Sequence, residues 1–324
     1  MTLKNHPSTF LCGLLITILT LSHVKAQEKV IDSLINAKVQ NYEAVNNLLK
    51  PFSNDSLVID SFYKKSQKRN YTFGQAYAAN LMGIYCRNTS QYDKAINYHN
   101  ESVNLARANN YTDLDIIGLN MLGVVYRRTD AIRTALDYHQ EALAIAEKVD
   151  PRTGSIKKSI AVSLNSMGNI YLALDQFEIA IERFSKSLKI EKEVDNKLGL
   201  AINYHNIGYA KEGLGKLDEA LEYYQKSLEY NTEINSKLGK VICNSSIGGI
   251  FIKKNKDEEA IELMTSILKE ANDLRDKFHL TGVYSSLGWA YLKTENYKKA
   301  KYYLNKSEEL ATEYSFKSSL EENY

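Results

Sequence analysis

The sequence predicts an all-α fold, built as a solenoid of antiparallel helix pairs. A glycine followed twelve residues later by an alanine recurs six times, and successive glycines lie 40, 45, 40, 40 and 40 residues apart. A fixed period between about 20 and 50 residues indicates stacked supersecondary units rather than one globular core. The chain has only three prolines in 324 residues, as expected for helices joined by short turns. The six pairs are Gly83 with Ala95, Gly123 with Ala135, Gly168 with Ala180, Gly208 with Ala220, Gly248 with Ala260 and Gly288 with Ala300.

The recurring pair is typical of two helices that cross closely. Small residues on both helices let the backbones approach to the packing distance of about 8 to 10 Å. A glycine inside a helix costs about 1 kcal/mol relative to alanine, so a glycine kept at one register six times indicates a packing role. We therefore expect each glycine to lie on the first helix of a pair and each alanine on the second.

The N-terminal segment and the repeats divide the chain as follows. Residues 28–50 are predicted to form one amphipathic helix that Pro51 ends, and residues 56–70 a degenerate second helix, so that residues 27–70 cap the array. Residues 151–155 are the only insertion between repeats, and residues 316–324 either begin a seventh repeat or form a C-terminal capping helix. The predicted repeats are 71–110, 111–150, 156–195, 196–235, 236–275 and 276–315.

The first 26 residues have the pattern of a secretory signal peptide. Lys4 gives a weakly basic start, residues 10–21 form a mainly apolar run, and the short side chains of Val24 and Ala26 favour cleavage after Ala26. The apolar run is shorter than the roughly 20 residues of a membrane-spanning helix. We expect a periplasmic or secreted protein with no membrane span in the mature chain.

The net charge of the mature chain argues against some classes of partner, and the spacing of its cysteines argues against a disulfide. Cleavage removes two lysines and no acid from 41 basic and 39 acidic residues, leaving 39 of each. Zero net charge argues against binding to nucleic acid or anionic membranes. Cys86 and Cys243 lie four repeats apart, so they cannot form a disulfide, and we interpret both as buried core residues. An exported chain without disulfides fits a bacterial periplasm or surface.

A further set of positions accompanies the glycines and alanines. An apolar residue precedes every glycine, and an aromatic residue follows four of them by three positions. This pattern resembles the tetratricopeptide repeat over residues 71–315, which implies a right-handed superhelical solenoid. The period exceeds the usual length of about 34 residues. The longer form is similar to kinesin light chain, the Pins-type scaffolds, the Rap regulators, and the exported sensory regions of Bacteroidota-type histidine kinases and helix-turn-helix regulators.

The resemblance also implies a ligand groove lined by the first helices. Positions three and two before the repeat glycine and one after it would point into this groove. An asparagine amide offers a donor and an acceptor, which match the backbone of an extended peptide. The candidate polar contacts are Asn80, Asn120, Asn165, Asn169, Asn206 and His205.

Other side chains of the first helices suggest what a ligand would present. Arg87, Arg127 and Arg128 would place positive charge at one end of the groove and favour an acidic segment, although basic residues are also favoured at helix C-termini. Tyr209 and Trp289 would supply aromatic anchors. His99 and His139 share a register that later repeats fill with large apolar residues, so we interpret both as packing positions rather than metal ligands.

These patterns favour an exported, non-enzymatic scaffold that binds a protein or peptide segment and needs no cofactor or metal. An alternative is the sensory input region of a signalling protein of the histidine kinase or helix-turn-helix regulator type. The next repeat glycine would fall at position 328, so its output module would lie beyond residue 324. An enzyme is a third reading that would need a base such as His205, but no metalloprotease, Cys-x-x-Cys, phosphate-loop or nucleophile-elbow motif occurs.

Overall fold

The computed structural model describes residues 28–150, 152–274 and 276–314, and every regular element in these ranges is helical. The predicted signal peptide and residues 316–324 therefore lie outside the described residues. The chain forms two compact units, residues 1–159 and 160–324, whose boundary falls inside one helix. Within each unit, helices that follow one another along the chain pack together. The all-α prediction is confirmed.

Unit 1 begins with two short helices and continues as helix pairs. Its elements are α1 (28–37), α2 (Tyr42–Leu49), a 3-10 turn (Lys50–Phe52), α3 (Ser56–Lys68), α4 (Thr72–Asn88), α5 (Tyr92–Ala108), α6 (Thr112–Arg128), α7 (Ile132–Glu147) and the start of α8 (Gly154–Ala173). The boundary between the units lies in α8. Helices α3 to α7 contact one another in chain order, and α4 also contacts α6, the next first helix.

Unit 2 repeats the same arrangement. The helices that follow α8 are α9 (Phe177–Glu193), α10 (Lys197–Gly213), α11 (Leu217–Glu233), α12 (Lys237–Lys253), α13 (Asp257–Asp273), α14 (Lys277–Lys293) and α15 (Tyr297–Glu313). The first helices of the pairs are α10, α12 and α14, and the second helices are α9, α11, α13 and α15. From α9 onward each helix contacts the next along the chain, and α12 also contacts α14.

The prediction of one helix over residues 28–50 is wrong, because the helix is interrupted between α1 and α2. Lys38 has a φ of 45°, which is left-handed backbone and ends α1. Asn41 then caps α2, with its side chain accepting a hydrogen bond from the backbone N–H of Ala44 at 2.8 Å. Pro51 lies in the 3-10 turn after α2. The N-terminal segment thus consists of two short helices, α1 and α2, followed by the 3-10 turn and α3.

Ten turns between successive helices, from the one before α4 onward, share one feature of backbone conformation. Most helices from α4 onward have 17 residues, and a three-residue turn brings the interval to 20. The middle residue of the turn has positive φ, which asparagine, aspartate and glycine tolerate best. This 20-residue half-period was not predicted from the sequence. The residues are Asn70, Ser90, Asn110, Asp130, Asp175, Asp195, Gly215, Asn235, Asn255 and Glu295.

The repeat glycines make room for the side chain sixteen residues later. A Cβ added to Gly168 would lie 2.5 Å from the ring of Phe184, and one added to Gly83 would lie 2.6 Å from the ring of His99. The equivalent contacts join Gly123 to His139, Gly208 to Tyr224, Gly248 to Met264 and Gly288 to Leu304. The packing interpretation of His99 and His139 is confirmed. The close approach therefore involves this side chain as well as the buried alanine.

Buried serines tie each of several second helices to its first helix. Ser102 Oγ donates a hydrogen bond to the Ala76 carbonyl at 2.8 Å, and Ser227 donates to Ala201 at the same distance. Ser187 and Ser307 make the equivalent bond. Cys86 and Cys243 are buried, as predicted. Within the described ranges, the helices are too short or too polar to cross a membrane.

Candidate binding surface

The structure corrects the expected position of Asn80 and Asn120 in unit 1. Both side chains are almost completely buried, with 2% and 1% exposed. The Oδ1 atoms of Asn80 and Asn120 lie 2.9 Å from Nδ1 of His99 and His139, respectively. Their amide oxygens are therefore occupied inside the unit, because the side chain that fills the glycine gap is a histidine in these two repeats.

The orientation of the Asn120 amide determines which ring nitrogen of His139 carries the proton. Asn120 Nδ2 donates to the Ser159 carbonyl at 3.1 Å, so Asn120 Oδ1 faces His139 and accepts from its Nδ1–H. Burial lowers the pKa of His99 and His139 to about 3, and a nearby arginine charge adds to the effect. Both rings are therefore neutral near pH 7.

The three predicted arginines lie close enough to influence one another electrostatically. The Arg87 side chain is half-buried, and its Nη1 lies 3.5 Å from Met121 Sδ on α6. Arg127 is also half-buried, and its Nε has no hydrogen-bond partner in the described part of the chain. Burial lowers the pKa of the Arg87 and Arg127 guanidinium groups, and the charge of exposed Arg128 lowers both further. We call these three residues the arginine cluster.

In unit 2, the predicted asparagines form a chain of amides. Asn169 Nδ2 donates to Asn165 Oδ1 at 3.0 Å, and Asn165 Nδ2 donates to Asn203 Oδ1 at 3.0 Å. Asn203 in turn donates to Ser187 Oγ at 3.0 Å and to the Gly199 carbonyl at 2.9 Å. Asn165 and Asn169 are half-buried, whereas Asn203, which sequence reasoning missed, is buried.

His205 and Asn206 line a cavity of about 400 Å³ between α10 and α12. Much of its lining is apolar, from Leu198 and Ile202 on α10 and Leu238 on α12. His205 Nε2 lies 3.0 Å from Ser246 Oγ, so the two helices are joined by a hydrogen bond. Burial lowers the pKa of His205 to about 4, and repulsion from His279 contributes. His205 is therefore neutral near pH 7, and the apolar part of the lining suits an apolar group.

Large apolar side chains lie exposed on the first helices of unit 2. Tyr209 and Trp289, both predicted, are 53% and 40% exposed. Sequence reasoning missed the others, although a large apolar residue recurs at 40-residue intervals ten positions before the repeat glycine. We call this set the apolar face: Leu198, Ile202, Tyr209, Leu238, Phe278 and Trp289.

Two glycines beside the apolar face have no packing partner among the described residues. A Cβ added to Gly249 on α12 or to Gly282 on α14 would meet no described atom within 4 Å. Gly249 shares the register of Tyr209 and Trp289, and Gly282 shares that of Ile202. Each glycine lies inside a helix, where it costs about 1 kcal/mol relative to alanine. Their neighbours do not account for them, in contrast to the repeat glycines.

Family comparison agrees with this architecture. Tetratricopeptide-repeat profiles match residues 74–148 and 159–233, and a second profile of the same family matches residues 281–314. Together these ranges make up more than half of the chain, which therefore belongs to the tetratricopeptide-repeat family. No curated protein matches the sequence.

Solved structures share the fold at low sequence identity. A signal transduction ATPase with a tetratricopeptide repeat sensor from Pyrococcus horikoshii has a TM-score of 0.65 at 17% identity, over 90% of this chain and 46% of that one. BtubC from P. vanneervenii has a TM-score of 0.58 at 16% identity, over 69% of this chain and 92% of that one. A Rap protein complexed with competence and sporulation factor has a TM-score of 0.55 at 17% identity, over 94% of this chain and 96% of that one.

Proposed function

We propose that the chain is an exported, non-enzymatic scaffold whose apolar face binds a segment of a partner protein. Membership of the tetratricopeptide-repeat family supports a protein-interaction role. The observation that carries the proposal is the exposure of the side chains of the apolar face on the first helices of unit 2. Apolar patches of this kind mark interaction surfaces on soluble proteins.

The charges beside the apolar face support an uncharged ligand segment. Glu212 on α10 pairs with Lys253 on α12 at 2.7 Å, and Lys211 pairs with Glu219 at 2.6 Å. Because these side chains neutralise one another, the face offers aromatic and aliphatic contacts rather than free charge. The ligand is expected to contribute apolar anchors, as in most interface hot spots.

The unpartnered glycines support close approach of that segment. A helix surface without a side chain lets a ligand backbone or a bulky ligand side chain come nearer than alanine would allow. Gly249 would leave this space between Tyr209 and Trp289, and Gly282 would leave it one turn after Phe278. The cost in helix stability would then be offset by binding.

Replacing Gly249 by alanine should raise the free energy of unfolding by up to about 1 kcal/mol, because the new methyl group removes backbone freedom from the unfolded chain and meets no neighbour. Urea unfolding followed by circular dichroism measures this. The same variant should bind selected peptides more weakly than the unmodified protein. A variant that is less stable, or that is more stable and binds equally well, would contradict the role given to this glycine.

The apolar face is tested with peptides selected from a random library on the purified protein. Tyr209→Ala and Trp289→Ala should each weaken binding of a selected peptide by about 30-fold, as expected for an aromatic hot spot worth about 2 kcal/mol. Tyr302→Ala is the matched control, because Tyr302 is an exposed aromatic residue on second helix α15. Equal loss in all three variants, or loss in none, would argue against the face.

Export is supported by the charged start, apolar run and short side chains before residue 27. The N-terminal sequence of the protein from its native host tests this part. A mature chain that begins at Gln27 agrees with the proposal, and a chain that retains residues 1–26 contradicts cleavage.

A further inference from the structure

We propose that the arginine cluster of unit 1, formed by Arg87, Arg127 and Arg128, is a binding site for the carboxylates of an acidic protein segment. The site lies in a different unit from the apolar face and its chemistry is opposite. It goes beyond the proposed function, and it can be present whether or not the apolar face binds a peptide.

The cluster gathers positive charge without an internal counter-ion. None of its three guanidinium groups forms an ion pair with a carboxylate in the described part of the chain. Arg87 instead donates to Asn88 Oδ1 at 3.2 and 3.0 Å. The neighbouring rings of His99 and His139 are neutral and provide no negative charge. Three like charges held together in this way repel one another, and an anion would relieve that repulsion.

The residues four and five positions after the repeat glycines are arranged differently in unit 2. Arg87 and Arg127 lie four residues after their repeat glycines, and Arg128 lies five after. In unit 2 the equivalent residues include Glu212 and Lys253, which pair at 2.7 Å, and Lys293, which lies 3.8 Å from Asp257. The fold therefore neutralises these positions where the sequence supplies acids. In unit 1 it leaves them positive.

Burial distinguishes the cluster from ordinary basic residues at helix ends. Arginines in the last turn of α4 and α6 are favoured by the helix dipole, but that effect requires no burial. Here Arg87 and Arg127 are half-buried, and Arg127 Nε is a buried donor without a partner among the described residues. Leaving such a donor unpaired lowers the stability of the folded chain. A carboxylate beside it would accept this hydrogen bond.

The chemistry of arginine favours carboxylate oxygens as the ligand atoms. A guanidinium group is planar and offers several N–H donors, which can contact both oxygens of one carboxylate. Three such groups on two adjacent first helices can contact more than one acidic side chain. A segment with consecutive glutamates or aspartates therefore fits better than a single small acid.

The test measures binding of fluorescently labelled hexaglutamate to the full mature chain by anisotropy at low ionic strength, with hexaglutamine as the neutral probe. Hexaglutamate should bind and hexaglutamine should not, and added salt should weaken the binding of hexaglutamate. The double variant R87Q/R127Q should bind at least about tenfold more weakly, because two charge-assisted contacts are lost. R107Q should bind normally, because Arg107 already pairs with Asp115 at 3.0 Å and Glu141 at 2.7 Å.

Unfolding of the same variants separates binding from a structural role. R87Q/R127Q should be as stable as the unmodified protein or more stable, because it removes like-charge repulsion. Weak hexaglutamate binding together with retained stability supports the site. Equal binding of both peptides, unchanged binding by R87Q/R127Q, equal loss in R107Q, or loss of binding only through unfolding would overturn it. Failure of library peptides to bind the apolar face would leave these outcomes unaffected.

Discussion

Replacing Gly168 by valine is expected to lower the free energy of unfolding by about 3 kcal/mol. The first atom of the new side chain would lie 2.5 Å from Cε1 of Phe184. The Phe184 ring is completely buried, so it cannot move aside into solvent. Either the ring leaves its position or α8 and α9 separate, and both lose packing. Urea unfolding followed by helical circular dichroism measures the loss.

Gly249→Val is the matched control for this substitution. It places the same side chain inside a helix of the same array, but at a position where a Cβ meets no described atom within 4 Å. Its free energy of unfolding should remain within about 0.5 kcal/mol of the unmodified value, as for most surface changes. If both valines destabilise the protein equally, the contact with the side chain sixteen residues later does not explain the repeat glycines.

Acidification is expected to destabilise unit 1 strongly. His99 and His139 have a pKa of about 3 in the folded protein, below the ordinary value of 6.5. The unfolded chain therefore binds more protons than the folded chain between these pH values, and stability falls as the pH falls from about 6.5 towards 3. Each histidine should account for a loss on the order of 3 kcal/mol between pH 7 and pH 4. Urea unfolding at a series of pH values measures it.

The array itself supplies a control for this acid dependence. In later repeats, the residues equivalent to Asn80 and His99 are Ser245 and Met264, or Ser285 and Leu304. The double variant N80S/H99M copies the first of these pairs into the first repeat and removes one of the two buried histidines. Its stability should fall less steeply below pH 6.5 than that of the unmodified protein. An unchanged pH profile would mean that the His99 ring is not held neutral by its surroundings.

The helices could be predicted from the sequence because their packing is repeated. The same close contact requires a glycine at the same register in each of six repeats, and the spacing of these glycines gives the repeat period even when the turns are not recognised. The break after Lys38 could not be predicted in this way. A lysine with positive φ carries no sequence signal, and the surrounding apolar residues fit one continuous helix as well as two.

The binding surface was harder to predict, because the residue three positions before the repeat glycine has different neighbours in different repeats. The residue three before the glycine faces the side chain sixteen after it. Where that side chain is His99 or His139, the asparagine is bonded inside the unit. Where it is Phe184, Asn165 has no ring nitrogen to bind and joins Asn169 and Asn203 instead. The identity of the later residue was the signal that would have separated the two cases.

The measurement that tests the binding proposal most directly is site-specific photo-crosslinking to a library-selected peptide. A benzophenone amino acid is placed at Leu238, on the apolar face, and at Gln225, which is exposed on second helix α11. Binding on the first-helix surface predicts a crosslink from position 238 and none from position 225. A crosslink from position 225 alone would contradict the central claim that the apolar face binds the partner.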